Sequence, residues 1–128
     1  RATTAFLDGM KIASLRGMFQ GYEDAGAMPN EIVITESLMD ARSIWLTPNT
    51  TTIYIGSNVD ISSGPMVIEI PAGILGLLDD AAFDFVANIG ALGPDKGEGG
   101  QYILLHNDDE TDVPDGYFEL RTKTYEHW

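Results

Sequence analysis

At 128 residues the chain has room for one hydrophobic core, because single cores are typically built from roughly 100 to 150 residues. Twenty acidic residues against seven basic ones give a formal charge of −13, a field that repels phosphate backbones and anionic headgroups, so neither nucleic acid nor a membrane surface is an expected partner. Without a cysteine, the chain has no disulfide, zinc–thiolate site, iron–sulfur cluster or cysteine nucleophile to offer.

Residues 4–22 repeat apolar side chains at helical spacing, with Ile12, Leu15, Phe19 and Tyr22 in one stripe beside Leu7 and Met18. This predicts an amphipathic helix within residues 1–26, closed at Gly26, since glycine accepts the left-handed conformation that ends helices. Residues 31–35 alternate and are rich in β-branched side chains, whereas residues 37–42 have the cap and composition of a short helix. The sequence leaves that connection open.

Strands are expected to dominate residues 45–128. Ile53, Ile55, Val59 and Ile61 share one parity and Tyr54, Asn58 and Asp60 the other, the pattern of a half-buried strand. Ser62-Ser63-Gly64-Pro65 supplies turn chemistry, and Met66-Val67-Ile68-Glu69-Ile70 follows as a second strand stopped by Pro71, so the two read as a hairpin. Phe83, Phe85, Ala87 and Ile89 alternate with Asp84 and Asn88. Residues 102–106 form a mostly apolar strand, and Phe118, Leu120, Thr122 and Thr124 alternate with Glu119, Arg121 and Lys123. The expected fold is mainly β with an N-terminal helix, an antiparallel β-sandwich or partial jelly-roll-like barrel in a single domain. No apolar run reaches the roughly 20 residues that span a bilayer, so no membrane insertion is expected. The sequence begins at Arg1 rather than methionine, which fits a processed terminus and favours a periplasmic or extracellular location without excluding the cytoplasm.

The run Leu46-Thr47-Pro48-Asn49-Thr50-Thr51-Thr52-Ile53-Tyr54 resembles the threonine-proline-asparagine segment and following strand of the domain-of-unknown-function 1254 family. Gly64-Pro65-Met66-Val67-Ile68-Glu69-Ile70-Pro71 is similar to that family's glycine-proline strand, and Gly76-Leu77-Leu78-Asp79-Asp80 to its leucine-aspartate-aspartate step. Leu92-Gly93-Pro94-Asp95-Lys96-Gly97, then Gly99-Gly100-Gln101-Tyr102-Ile103-Leu104-Leu105, and finally Val113-Pro114-Asp115-Gly116-Tyr117-Phe118 follow in the family's order. The resemblance implies a β-rich half that packs against a partner region, the domain-of-unknown-function 1214, which these residues do not include. It implies no reaction. Where the family often has an acidic residue after the asparagine, this chain has Thr50, Thr51 and Thr52, which argues against a metal-binding or catalytic role for that loop.

Among candidate sites, Asn49, Tyr54, Asp79 and Asp80 are expected to share a ligand-binding cleft, although Asn49 also suits a turn held by its own amide. Asp79 and Asp80 point to opposite faces of an extended segment while Asp80 and Asp84 share a parity, and a solvated rim is the plainer expectation for them. His106 lies on the face of Tyr102 and Leu104, which suggests a hydrogen-bonded, partly buried imidazole or a catalytic base. The glycine-rich residues 93–100 lack the Gly-Lys-Ser/Thr run of a nucleotide loop and read as a tight connection. The acidic residues 107–112 lack the glycine and distal glutamate of a calcium loop and read as an exposed strand end. Two histidines cannot make a three-histidine metal site, and no metal and no cofactor is expected.

Three functions fit these residues. The first is a module of no catalytic activity that packs against a partner half or sibling subunits as a homo-oligomer. The second is half of an enzyme or small-molecule-binding protein with its pocket between two regions, and the third is a subunit of an extracellular or envelope assembly.

Overall fold

The structure, a computed structural model, describes residues 1–43 and 49–128. Trp45, the expected start of the β-rich body, and the motif residues Leu46, Thr47 and Pro48 lie outside the described residues. The N-terminal helix α1 runs over Ala2–Asp24. Gly26 follows with φ 96°, the left-handed turn the sequence predicts at its end. The helix buries only Leu15 and Phe19, and Phe6, Leu7, Met10 and Ile12 are exposed. Its docking is therefore confined to the second half, where the Arg16 guanidinium also meets Glu126 at 2.5 Å.

The β elements are β1 (Ile32–Ile34), β2 (Ile55–Ser57), β3 (Val59–Asp60), β4 (Met66–Ile70), β5 (Leu75–Asp79), β6 (Phe85–Gly90), β7 (Gly100–His106), β8 (Tyr117–Thr122) and β9 (Glu126–His127). β1 pairs with β2, β3 with β9, and β5 with β6, all antiparallel; β7 lies between β4, antiparallel, and β8, parallel. These are short open sheets of a sandwich-like fold, and no set of described strands closes into a barrel. Residues 37–42 form turns and bends.

Two expectations need correcting. The strand expected across residues 53–61 is split at Asn58 into β2 and β3, which pair with different partners. The hairpin expected between it and β4 does not form: residues 62–65 do turn, with the Gly64 N–H donating to the Ile61 carbonyl at 3.1 Å, but β4 crosses to β7. The physical reason is burial. β7 is paired on both sides, and Tyr102, Ile103, Leu104 and Leu105 are all buried, so its continuous apolar run draws β4 away from its sequence neighbour. Ile61, Leu78 and Leu104 form the core, with Val59, Met66, Val86 and Leu120 packed against them.

Candidate functional site

Asn49 organises its own loop. Its Oδ1 accepts from the Thr51 N–H at 2.8 Å and the Thr51 hydroxyl at 2.7 Å, and its Nδ2 donates to Thr52 Oγ1 at 2.8 Å. This is the turn-forming use of an asparagine, and it engages both ends of the amide. Tyr54 is tied through its backbone, the N–H donating to Thr35 Oγ1 at 2.7 Å and the carbonyl accepting from the Thr35 N–H at 2.9 Å. Its side chain is exposed.

Asp79 and Asp80 stand where β5 ends in a register shift between Leu78 and Asp79. Asp80 is no solvated rim residue. It is 7% exposed, and its Oδ1 accepts from the N–H groups of Ala82 at 2.8 Å and Asp84 at 3.0 Å. The carboxylate thus closes the turn into β6, with Phe83 at φ 62° at its tip. Sequence parity misses this because a tight turn, and not an extended strand, follows Asp80. Asp79 is half-buried, and burial together with the neighbouring Asp80 carboxylate raises its pKa above the ordinary range. Its backbone pairs with Trp128 in both directions at 3.0 Å.

His106 is held on two sides: Nε2 lies 3.2 Å from the Lys123 carbonyl, and Nδ1 accepts from the Asp108 N–H at 3.2 Å. Its ring stacks on Tyr125 with centroids 4.4 Å apart. Both nitrogens are engaged, as befits a partly buried structural imidazole. Among the described residues no hydrogen bond joins Asn49 or Tyr54 to Asp79, Asp80 or His106, and the expected cleft is not assembled within them.

His127 and Trp128 are not among the site residues expected from the sequence. His127 is fully buried, with Nε2 at 2.9 Å from Thr122 Oγ1 and 3.4 Å from Thr124 Oγ1. Burial lowers its pKa, a loss partly offset by the Val59 backbone and by Asp80, Asp60 and Glu126. Asn58 Oδ1, His127 Nδ1 and Trp128 Nε1 are buried without a hydrogen-bond partner among the described residues. The signal in the sequence was two threonines, Thr122 and Thr124, at the end of an alternating inward face. Trp128 meets Phe83 edge to face with centroids 5.1 Å apart. Beside this corner, Arg16, Asp60, Tyr125 and Glu126 line an open depression between α1 and β9. Among the described residues no group of three or more histidine, aspartate or glutamate side chains is placed to hold a metal ion.

The glycine-rich residues 93–100 form a compact knot on Asp95, which is 5% exposed. Its carboxylate accepts from the buried Tyr102 hydroxyl and from the Gly99 N–H at 3.2 Å. Lys96, Gly97 and Gly99 adopt positive φ. At Gly93 a Cβ would lie 2.7 Å from the Tyr102 hydroxyl, so the loop packs closely over this pair, as a tight connection does.

The family described as "Protein of unknown function (DUF1254)" matches residues 29–128. No curated protein matches the chain. Among solved structures, the VPA0106 protein from Vibrio parahaemolyticus is similar with a TM-score of 0.66 at 18% identity, over 96% of this chain and 29% of that one. The chain therefore spans less than a third of that neighbour's length, and at this identity the likeness is one of fold.

Proposed function

The chain belongs to the DUF1254 family of proteins of unknown function, and from that premise we propose that it is a β-rich packing module, completed by a partner half like the domain-of-unknown-function 1214 or by sibling subunits. The carrying observation is apolar surface gathered on single faces. On the β1–β2 ribbon Ile34 stands opposite Ile55, and Ile32, Ile34 and Ile55 share one face at 68%, 55% and 54% exposure. On β5–β6, Leu75, Leu77 and Phe85 share another at 69%, 48% and 63%. Single exposed apolar residues are ordinary, but apolar faces of two separate sheets mark surface that a partner covers. The native mass of the particle, set beside its denatured mass, tests this. A second polypeptide, copies of the chain, or a longer single chain is expected; a bare monomer of these residues, monodisperse in solution, sinks the proposal.

A second reading is a ligand pocket formed where a partner meets this module, and Asp79 favours it. A half-buried carboxyl raised by burial and, after it, by a neighbouring carboxylate is the kind of group that serves acid–base chemistry. Asn49 and Asp80 are occupied in turns. Asp79→Asn in the complete protein should then abolish ligand binding or turnover while leaving the native mass unchanged; unaltered activity would remove the reading.

A further inference from the structure

Among the described residues β5 has one paired edge and one open edge. The Ala91 N–H donates to the Ile74 carbonyl at 2.7 Å and the Asp80 N–H to the Asp84 carbonyl at 2.9 Å. Strand alternation therefore turns the backbone groups of Gly76 and Leu78 toward β6, and those of Leu75, Leu77 and Asp79 away from it. At Asp79 the outward groups are taken by Trp128, each N–H donating to the other's carbonyl at 3.0 Å. The Ala81 N–H donates to the Glu126 carbonyl at 2.9 Å, and Asp80 bridges His127 antiparallel. These contacts define one antiparallel register, in which each step forward from Trp128 is a step back along β5.

Leu77 and Leu75 are next along that edge. Both are exposed, and β5 carries neither charge nor proline before Asp79, the features that keep free edges from pairing. The outer edges of β4 and β8 are guarded: β4 is bracketed by Pro65 and Pro71 and carries Glu69, and β8 carries Glu119 and Arg121.

Resting on the reading that further polypeptide completes the module, we propose that the open edge of β5 is the docking site of an extended strand that carries on from β9 past Trp128. In the β9 register, the second residue beyond Trp128 exchanges backbone hydrogen bonds with Leu77 and the fourth with Leu75. The first and third lie opposite Leu78 and Gly76, so the first faces the core beside the buried Leu78. Such a strand joins β6–β5 to β9–β3 as one continuous four-stranded sheet. It also lays two further side chains beside exposed Leu75 and Leu77. β9 is the occupant the geometry selects because it already runs in register and needs only to continue straight, whereas any other strand would have to meet Trp128 end to end.

Amide hydrogen exchange in the complete protein tests this, with Gly76 and Leu78 as paired controls within the same strand. The Leu75 and Leu77 amides should exchange more than about a hundredfold slower than free peptide, as cooperatively paired amides do. Replacing the second residue beyond Trp128 by proline, which removes the N–H that donates to the Leu77 carbonyl and breaks up the paired strand at that point, should return the Leu77 amide toward free exchange while Leu78 stays protected. Fast exchange at Leu75 and Leu77 in a particle whose native mass still includes further polypeptide overturns the strand and leaves the packing module standing. Protection that survives the proline overturns it too, because another strand then holds the edge. A bare monomer overturns the packing module itself.

Discussion

Tyr102 is fully buried in β7, and its hydroxyl donates to Asp95 in the glycine-rich loop. That hydrogen bond, followed by the one from Gly99, holds the Asp95 carboxyl below the usual range, while burial and Asp95 hold the Tyr102 phenol above its own. Tyr102→Phe should lower stability by about 1 kcal/mol, a typical net value for one hydrogen bond, read as a lower urea midpoint at unchanged slope. Nothing in the sequence pairs these residues, seven positions apart; the aspartate reads as one more polar loop residue until the loop folds back over β7. His127 gives a second residue-level expectation. Its folded pKa is depressed below the ordinary 6.5 by burial, so the unfolded chain takes up the proton first. The stability it contributes is present above about pH 6.5 and is lost as the pH falls from there through the folded value. Asp60, Asp95 and Asp109, also depressed, act only below their ordinary 3.8, so the two windows separate. Urea melts at pH 7 and pH 5 should show a loss that is absent in His127→Gln; equal losses in both proteins would assign it elsewhere.

At the level of elements, α1 was legible as a helix because a 3.6-residue repeat is a local property, whereas which of its apolar residues dock was not: Leu7 and Ile12 of the expected stripe stay exposed. Its last turns lie on β2: a Cβ at Gly56 would come within 2.5 Å of the Tyr22 hydroxyl, so the ring rests on bare backbone. Gly56→Ala, met by the far end of the Tyr22 side chain, should cost about 1 kcal/mol, the low end for overpacking, and Leu15→Ala about 2–5 kcal/mol by leaving a cavity. Both should loosen the helix before the body, seen as faster proteolysis within residues 1–24 at little change in near-ultraviolet signal. The strands were legible one at a time but not their pairing. Adjacent strands with a turn between them predict a hairpin, and β4 prefers β7 because pairing there places Met66 and Leu120 on either side of Leu104 in the core. Period-two alternation tells which face is buried and says nothing about which edge is met.

For the molecule as a whole, a charge of −13 implies self-repulsion that added salt screens. Raising sodium chloride from about 0.02 to 0.5 M, where the Debye length falls from roughly 20 to 4 Å, should raise the melting temperature by a few degrees. A flat response would mean that the acidic side chains are already balanced by a partner surface.

The sequence by itself determined the helix, the strand-rich body, the family and the chemistries that no cysteine and few cations can support, because composition, period and ordered motifs are carried along the chain. Only the tertiary structure decided that Asp80 spends its carboxylate on a turn, that His127 is the buried histidine, and that β5 keeps an unguarded edge beside Trp128. Each of these depends on which strand lies against which, and that choice is made by burying β7 on both sides, a contest between distant segments that no local pattern records.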